Sequence, residues 1–164
     1  MRRAARPEAD DGGVRIHIEA TNLPGRSCPP GAGFPGYDGI HVGVQGRVRR
    51  DELLGLHPGD AASAAWTLEC TAVATADGTD FRGAQIQGRP GGRFIYLAWG
   101  SVDGAGVFTM FRRAKLMLDA VDPATAEAAV RTGRLVARLG LTDGKGEPLC
   151  AAVRPPLIEW SAGA

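Results

Sequence analysis

The feature that most narrows the fold of this chain is a period of two in its apolar residues, repeated between short Gly- and Pro-rich turns. Val14, Ile16 and Ile18 alternate with Arg15, His17 and Glu19. Ile40, Val42 and Val44 alternate with His41, Gly43 and Gln45. Trp66, Leu68, Cys70 and Ala72 alternate with Thr67, Glu69 and Thr71, and Leu135, Ala137, Leu139 and Leu141 take up the pattern later. Successive side chains of a strand point to opposite faces, so this period predicts strands with one buried face each. It gives way clearly to another once. Asp122-Pro123 has the chemistry of a helix start, with Asp122 as N-cap and Pro123 at the first helical position, and Gly133 is a helix stop. Asp51–His57 is also expected to form one helical turn, ended by Pro58. Asp143 to Gly146 reads as a hairpin turn with Leu149–Val153 returning, and Leu157–Trp160 as a short edge strand after Pro155-Pro156. The expected fold is therefore mainly β with one α-helix, an antiparallel barrel or sandwich of about eight strands.

Length and charge set the outer limits. The 164 residues are 44% hydrophobic and 23% charged, which suits one soluble domain with a real core. Residues 1–13 are polar and are expected to be a disordered tail, leaving 14–161 as a single β-rich domain. No apolar run resembles a signal peptide or a membrane span. The net charge of +1 provides no broad field to hold nucleic acid or a membrane surface. Seventeen of the nineteen basic residues are Arg, a bias expected of a GC-rich bacterial genome. Cys28, Cys70 and Cys150 are odd in number and far apart, which reads as three free thiols in reducing cytoplasm. His17, His41 and His57 are isolated and no zinc spacing occurs, so no metal and no cofactor is expected.

Chemistry-bearing residues concentrate in Asp80–Asp119, which holds four of the five Phe and six of the nineteen Lys and Arg. It reads as three consecutive strands. A turn at Arg89–Gly92 would pair Gln87 with Phe94, Gln85 with Tyr96, Ala84 with Leu97 and Arg82 with Trp99. A four-residue loop at Asp103–Gly106 would pair Trp99 with Met110, Tyr96 with Arg113 and Phe94 with Lys115. One face is then apolar: Ile86, Ile95, Leu97, Trp99, Ala114, Leu116 and Leu118, with Ala84 and Met110. The other carries Gln85, Gln87, Phe94, Tyr96, Phe111, Arg113 and Lys115. A loop one residue shorter would exchange the faces of the third strand.

Amides, rings and cations on one face suit a planar or anionic small molecule. Gln85 and Gln87 would orient it, Phe94 would pack on it, and Arg113 and Lys115 would hold a carboxylate or phosphate. Tyr96, opposite Arg113, is the candidate proton donor or acceptor. Arg82 and Arg112 bracket Trp99 and either stack on the indole or pair with a carboxylate such as Asp80. The bland alternative is the wet side of a half-exposed sheet. The leading functional expectation is a small-molecule-binding β protein, in its catalytic form a cofactor-independent cyclase or isomerase. The alternative is a non-catalytic protein-interaction module using the 22–37 loop and an edge strand. Single-stranded nucleic acid is disfavoured by the neutral charge, and a homo-oligomer is left open.

The blocks DFRGAQIQG, RFIYLAWG, MFRRAKLMLD and LGLTDGKGEPLCAAVRPPLIEW resemble a family of small bacterial proteins that forms a domain of unknown function. The resemblance runs from about Val14 to Trp160. It implies a single-domain protein from high-GC bacteria, and it implies no activity and no residue roles.

Overall fold

The computed structural model describes residues 12–21, 40–46, 53–58, 63–102, 105, 108–140 and 158–162. Nine strands and one α-helix are present among them: β1 (Gly13–Thr21), β2 (Ile40–Gln45), β3 (Leu53–Pro58), β4 (Ser63–Thr75), β5 (Gly78–Arg82), β6 (Phe94–Val102), β7 (Phe108–Met117), α1 (Pro123–Thr132), β8 (Arg134–Gly140) and β9 (Ile158–Ala162). They form two sheets. The first has the order β5-β4-β1-β8-β9 and the second β3-β2-β6-β7. All neighbours are antiparallel except β1 and β8.

The period of two does what was expected of it. Val14, Ile16, Ile18 and Ala20 of β1 are buried, as are Trp66, Leu68, Cys70 and Ala72 of β4 and Leu135, Ala137 and Leu139 of β8. From the second sheet Val42, Val44, Ile95, Leu97, Ala114 and Leu116 join them in one core. The protein is thus a two-sheet β structure with a shared apolar interior.

One helix connects the sheets. The chain leaves β7 through a single 3-10 turn (Leu118–Ala120), forms α1, and enters the first sheet beside β1. Asp122 caps α1 by accepting the N–H of Thr125 at 2.8 Å, Pro123 opens it, and Gly133 closes it at φ 76°. Ala126 and Ala129 supply its buried side, and their small size lets the helix approach closely. The helix lies near both edge strands of the first sheet, β5 and β9, so that sheet curls around it.

Three expectations are corrected here. Asp80–Gly88 is not the first strand of a hairpin with β6. Instead β5 folds back on β4 through the Asp77-Gly78 turn, with Arg82 beside Thr71 rather than Trp99. Ala84 and Gln85 form a turn, closed by Ile86 N–H to Gly83 O at 3.1 Å, and only Gln87 reaches β6. Leu53–Pro58 is a strand and not a helical turn, because Leu53, Leu54, His57 and Pro58 find partners along β2 and Pro58 at the strand end removes no hydrogen bond from the interior. The β6–β7 register also differs: Trp99 lies opposite Arg112, Leu97 opposite Ala114 and Tyr96 opposite Lys115. From Phe94 to Trp99 that is a shift of two residues, and an even shift leaves the faces of that part of the ladder unchanged; beyond the bulge at Trp99/Gly100, Met110 lies opposite Gly100, one residue from its expected partner. Of the expected tail 1–13, residues 12 and 13 are described and Gly13 opens β1; residues 1–11, the loop 22–37 and the Asp143–Val153 hairpin lie outside the described residues.

Candidate functional site

The face of β6 and β7 that looks away from the core begins with two rings. Phe94 and Tyr96 are two positions apart on β6, so both project outward. Their rings meet edge to face, with centroids 4.8 Å apart and planes at 70°. Both are half-buried.

Strand β7 covers these rings with cations. Arg113 lies opposite Ala98, whose methyl gives a guanidinium nothing to rest on. It leans one step along the sheet instead, and its Cζ sits 4.2 Å from the centre of the Tyr96 ring. Lys115 likewise places Nζ 4.5 Å from the centre of Phe94 and 6.0 Å from that of Tyr96. These are cation–π contacts, worth about 0.5–1 kcal/mol each at an exposed site. The contacts expected between Tyr96 and Arg113 and between Phe94 and Lys115 are present, reached diagonally rather than directly across the ladder.

The amide beside Tyr96 is Gln45, not Gln85. Gln45 of β2 is Tyr96's direct neighbour on the side away from β7, and it is only 3% exposed. Arg113 Nη1 lies 3.5 Å from Gln45 Oε1, at the outer limit of a hydrogen bond. The period of two had already placed Gln45 on an outward face. Its pairing with Tyr96 was hidden because nothing local in the sequence says that β2 neighbours β6. Gln87 stands where expected. It exchanges both backbone hydrogen bonds with Phe94, at 2.8 and 3.0 Å, on the edge of β6 that β2 occupies farther along. Trp99 and Arg112 are direct neighbours across β6 and β7, and their side chains lie outside the described residues.

Arg82 belongs to a second group, centred on Asp80. The Asp80 carboxylate is 2% exposed and accepts from three nitrogens: Arg82 Nε at 2.7 Å, Arg93 Nε at 2.8 Å and Arg93 Nη2 at 3.0 Å. Arg93 also donates Nη1 to the Gly88 carbonyl at 2.7 Å. The hydrogen bonds from Arg93, and then from Arg82, hold the Asp80 carboxyl below its ordinary range against the opposing effect of burial. Asp80 in turn raises Arg93. This fork ties β5 of one sheet to the start of β6 in the other, and fixes the Gly83–Gly92 connection that carries Gln87. Arg82 is an anchor of that tie, the carboxylate-paired reading of it.

Two further reactive groups among the described residues are muted. Burial, and then the charge of Glu69, push the Cys70 thiol up to about 12, so it is a core side chain and not a nucleophile. His17 lies between Thr67 Oγ1 at 3.2 Å and Glu19 Oε2 at 3.0 Å on an outer strand surface. The backbone amides around it are committed to the ladder and do not form an oxyanion hole. Among the described residues no three His, Cys, Asp or Glu side chains converge as metal ligands, and no helix is long and apolar enough to cross a membrane.

Residues 14–163 match the model of a family of unknown function, DUF5990. The chain belongs to that family. DUF5990 is a family of unknown function and carries no assigned activity. No curated protein matches the chain, and no solved structure does.

Proposed function

We propose that this DUF5990 protein binds a small anionic molecule on the outer face of β6 and β7, with Arg113 as the principal contact. The observation that carries the proposal is the stacking of Arg113 on Tyr96 at 4.2 Å with no carboxylate paired to it among the described residues. A guanidinium fixed by a ring and an amide has lost little freedom still to be lost on binding, and its fork suits a carboxylate or phosphate. The rings already carry cations on their faces, which favours an anion over a neutral planar ligand. If the site is catalytic, the chemistry is of the cofactor-independent cyclase or isomerase kind. Tyr96 would exchange a proton with the ligand, while Arg113 and Lys115 would hold its charge. Arg-rich composition supports a bacterial source, and the free Cys70 supports reducing cytoplasm as the site of action.

The test is thermal unfolding of the purified chain with a panel of carboxylates, phosphate esters and neutral heteroaromatics, in parallel with Arg113→Met. A ligand present at a hundred times its Kd should add about 2.7 kcal/mol of stability. Anions should raise the melting temperature of the parent protein and not that of the variant. If no anion does so, or if Arg113→Met responds as the parent does, the proposal is wrong. Tyr96→Phe should keep the binding response, because it removes only the phenol oxygen.

A further inference from the structure

We infer that the ligand of this face carries two negative charges, either a phosphomonoester or a short dicarboxylate. The inference rests on the anion-binding reading above and narrows it. Arg113 and Lys115 are not two unrelated surface cations. They stand two positions apart on one strand, so both project from the same face about 7 Å apart at their backbones. The Arg113 Cζ and the Lys115 Nζ both lie within 6.0 Å of the centre of one ring, that of Tyr96. Like charges held this close repel, and such an arrangement calls for a counter-charge.

Among the described residues that counter-charge is supplied elsewhere and not here. Arg15 has Glu69 at 3.0 Å, Arg82 has Asp80 at 2.7 Å, Arg93 has Asp80 at 2.8 Å and Arg138 has Glu19 at 3.1 Å. Arg113 and Lys115 share a face and an aromatic floor, yet neither has a carboxylate partner among the described residues. A monoanion would satisfy one of them and leave its neighbour repelled. A dianion answers both: the Arg113 fork takes one end in bidentate fashion and Lys115 meets the second charge as a point charge.

Matched probes test this on the full chain at constant ionic strength. Phenyl phosphate against phenyl sulfate compares two charges with one on nearly the same skeleton. Succinate against succinamate does the same for carboxylates, and the two pairs together tell a phosphate site from a dicarboxylate site. Calorimetric titration should show the dianion of at least one pair binding about fivefold tighter than its monoanion, the scale of one exposed ion pair. Lys115→Gln should remove that advantage, bringing the two members of each pair to equal affinity, whereas Arg113→Met should weaken both. Equal affinity for both members of each pair, or a dianion advantage that survives Lys115→Gln, overturns the two-charge inference and leaves the anion site standing. Absence of binding by all four probes overturns both. Arg113 and Lys115 are exposed, and a thermal melt of each variant verifies that it is folded.

Discussion

At the scale of single residues the sharpest dependence falls on Asp80. A carboxylate with 2% exposure persists only because three guanidinium nitrogens reach it, and Arg93 is itself 13% exposed. Removing the charge leaves the half-buried Arg93 without its carboxylate partner, a change that costs about 3 kcal/mol. Asp80→Asn should therefore lower the unfolding free energy by about that amount at neutral pH, measured by chemical denaturation. The effect has a direction in pH. The folded carboxyl lies below its unfolded value, which is about 3.9 for a free Asp. Its contribution is complete above that value and is lost as the pH falls through the lower folded value. Acid titration of the parent protein should show this loss, and Asp80→Asn should show a flatter acid limb. Identical limbs would mean that the fork contributes nothing to the pH dependence.

At the scale of elements, the connection Gly83–Gly92 decides how β6 is presented. Gly88 sits at φ 90°, where a Cβ would come within 2.4 Å of the Gly92 carbonyl oxygen, a backbone atom with no room to yield. Gly91 has a similar φ of 84° but open space around it. Gly91→Ala should cost about 1 kcal/mol, from the left-handed backbone alone. Gly88→Ala should cost more, about 2–3 kcal/mol, and should disturb the Gln87–Phe94 pair as well. Comparing the two melts, with the amide shifts of Phe94 as a local reporter, separates strain from collision. The same stretch explains what the sequence could and could not reveal. Alternation gave β1, β2, β4, β8 and the faces of β6 and β7, because those depend only on parity. The Asp122-Pro123 start and the Gly133 stop of α1 were legible because capping is local chemistry. The partner of β5 was not legible. Asp80–Gly88 can pair with either neighbour by pattern, and the choice goes to the β4 hairpin through Asp77-Gly78 and to the buried Asp80 fork, which no alternation of apolar residues announces. Strand β3 was missed for a similar reason: Leu53–Pro58 has little local strand preference and gains its form from pairing with β2.

At the scale of the whole molecule, the arrangement of strands implies one cooperative unit. β1 sits third of five in its sheet, held antiparallel to β4 and parallel to β8, while β6 sits inside the other sheet between β2 and β7. Leu68 from the first sheet, at 1% exposure, and Leu97 from the second, at 0%, belong to the same apolar cluster. The interior is shared, so neither sheet can open without exposing the buried face of the other. Sheets that unfolded independently would each need a core of their own, and the described residues form one. Leu68→Ala and Leu97→Ala should therefore each destabilise the same transition by about 2–5 kcal/mol, the range for truncating a buried Leu. Circular dichroism and tryptophan fluorescence should report one coincident unfolding curve for each variant, with a denaturant slope close to that of the parent. Two resolved transitions, with each variant moving only its own, would contradict a shared core. In that event the Asp80–Arg93 fork would have to be reread as a tether between two separately stable layers. The site on β6 and β7 would then depend on the second sheet alone, and Leu68→Ala would leave anion binding untouched at temperatures where Leu97→Ala abolishes it.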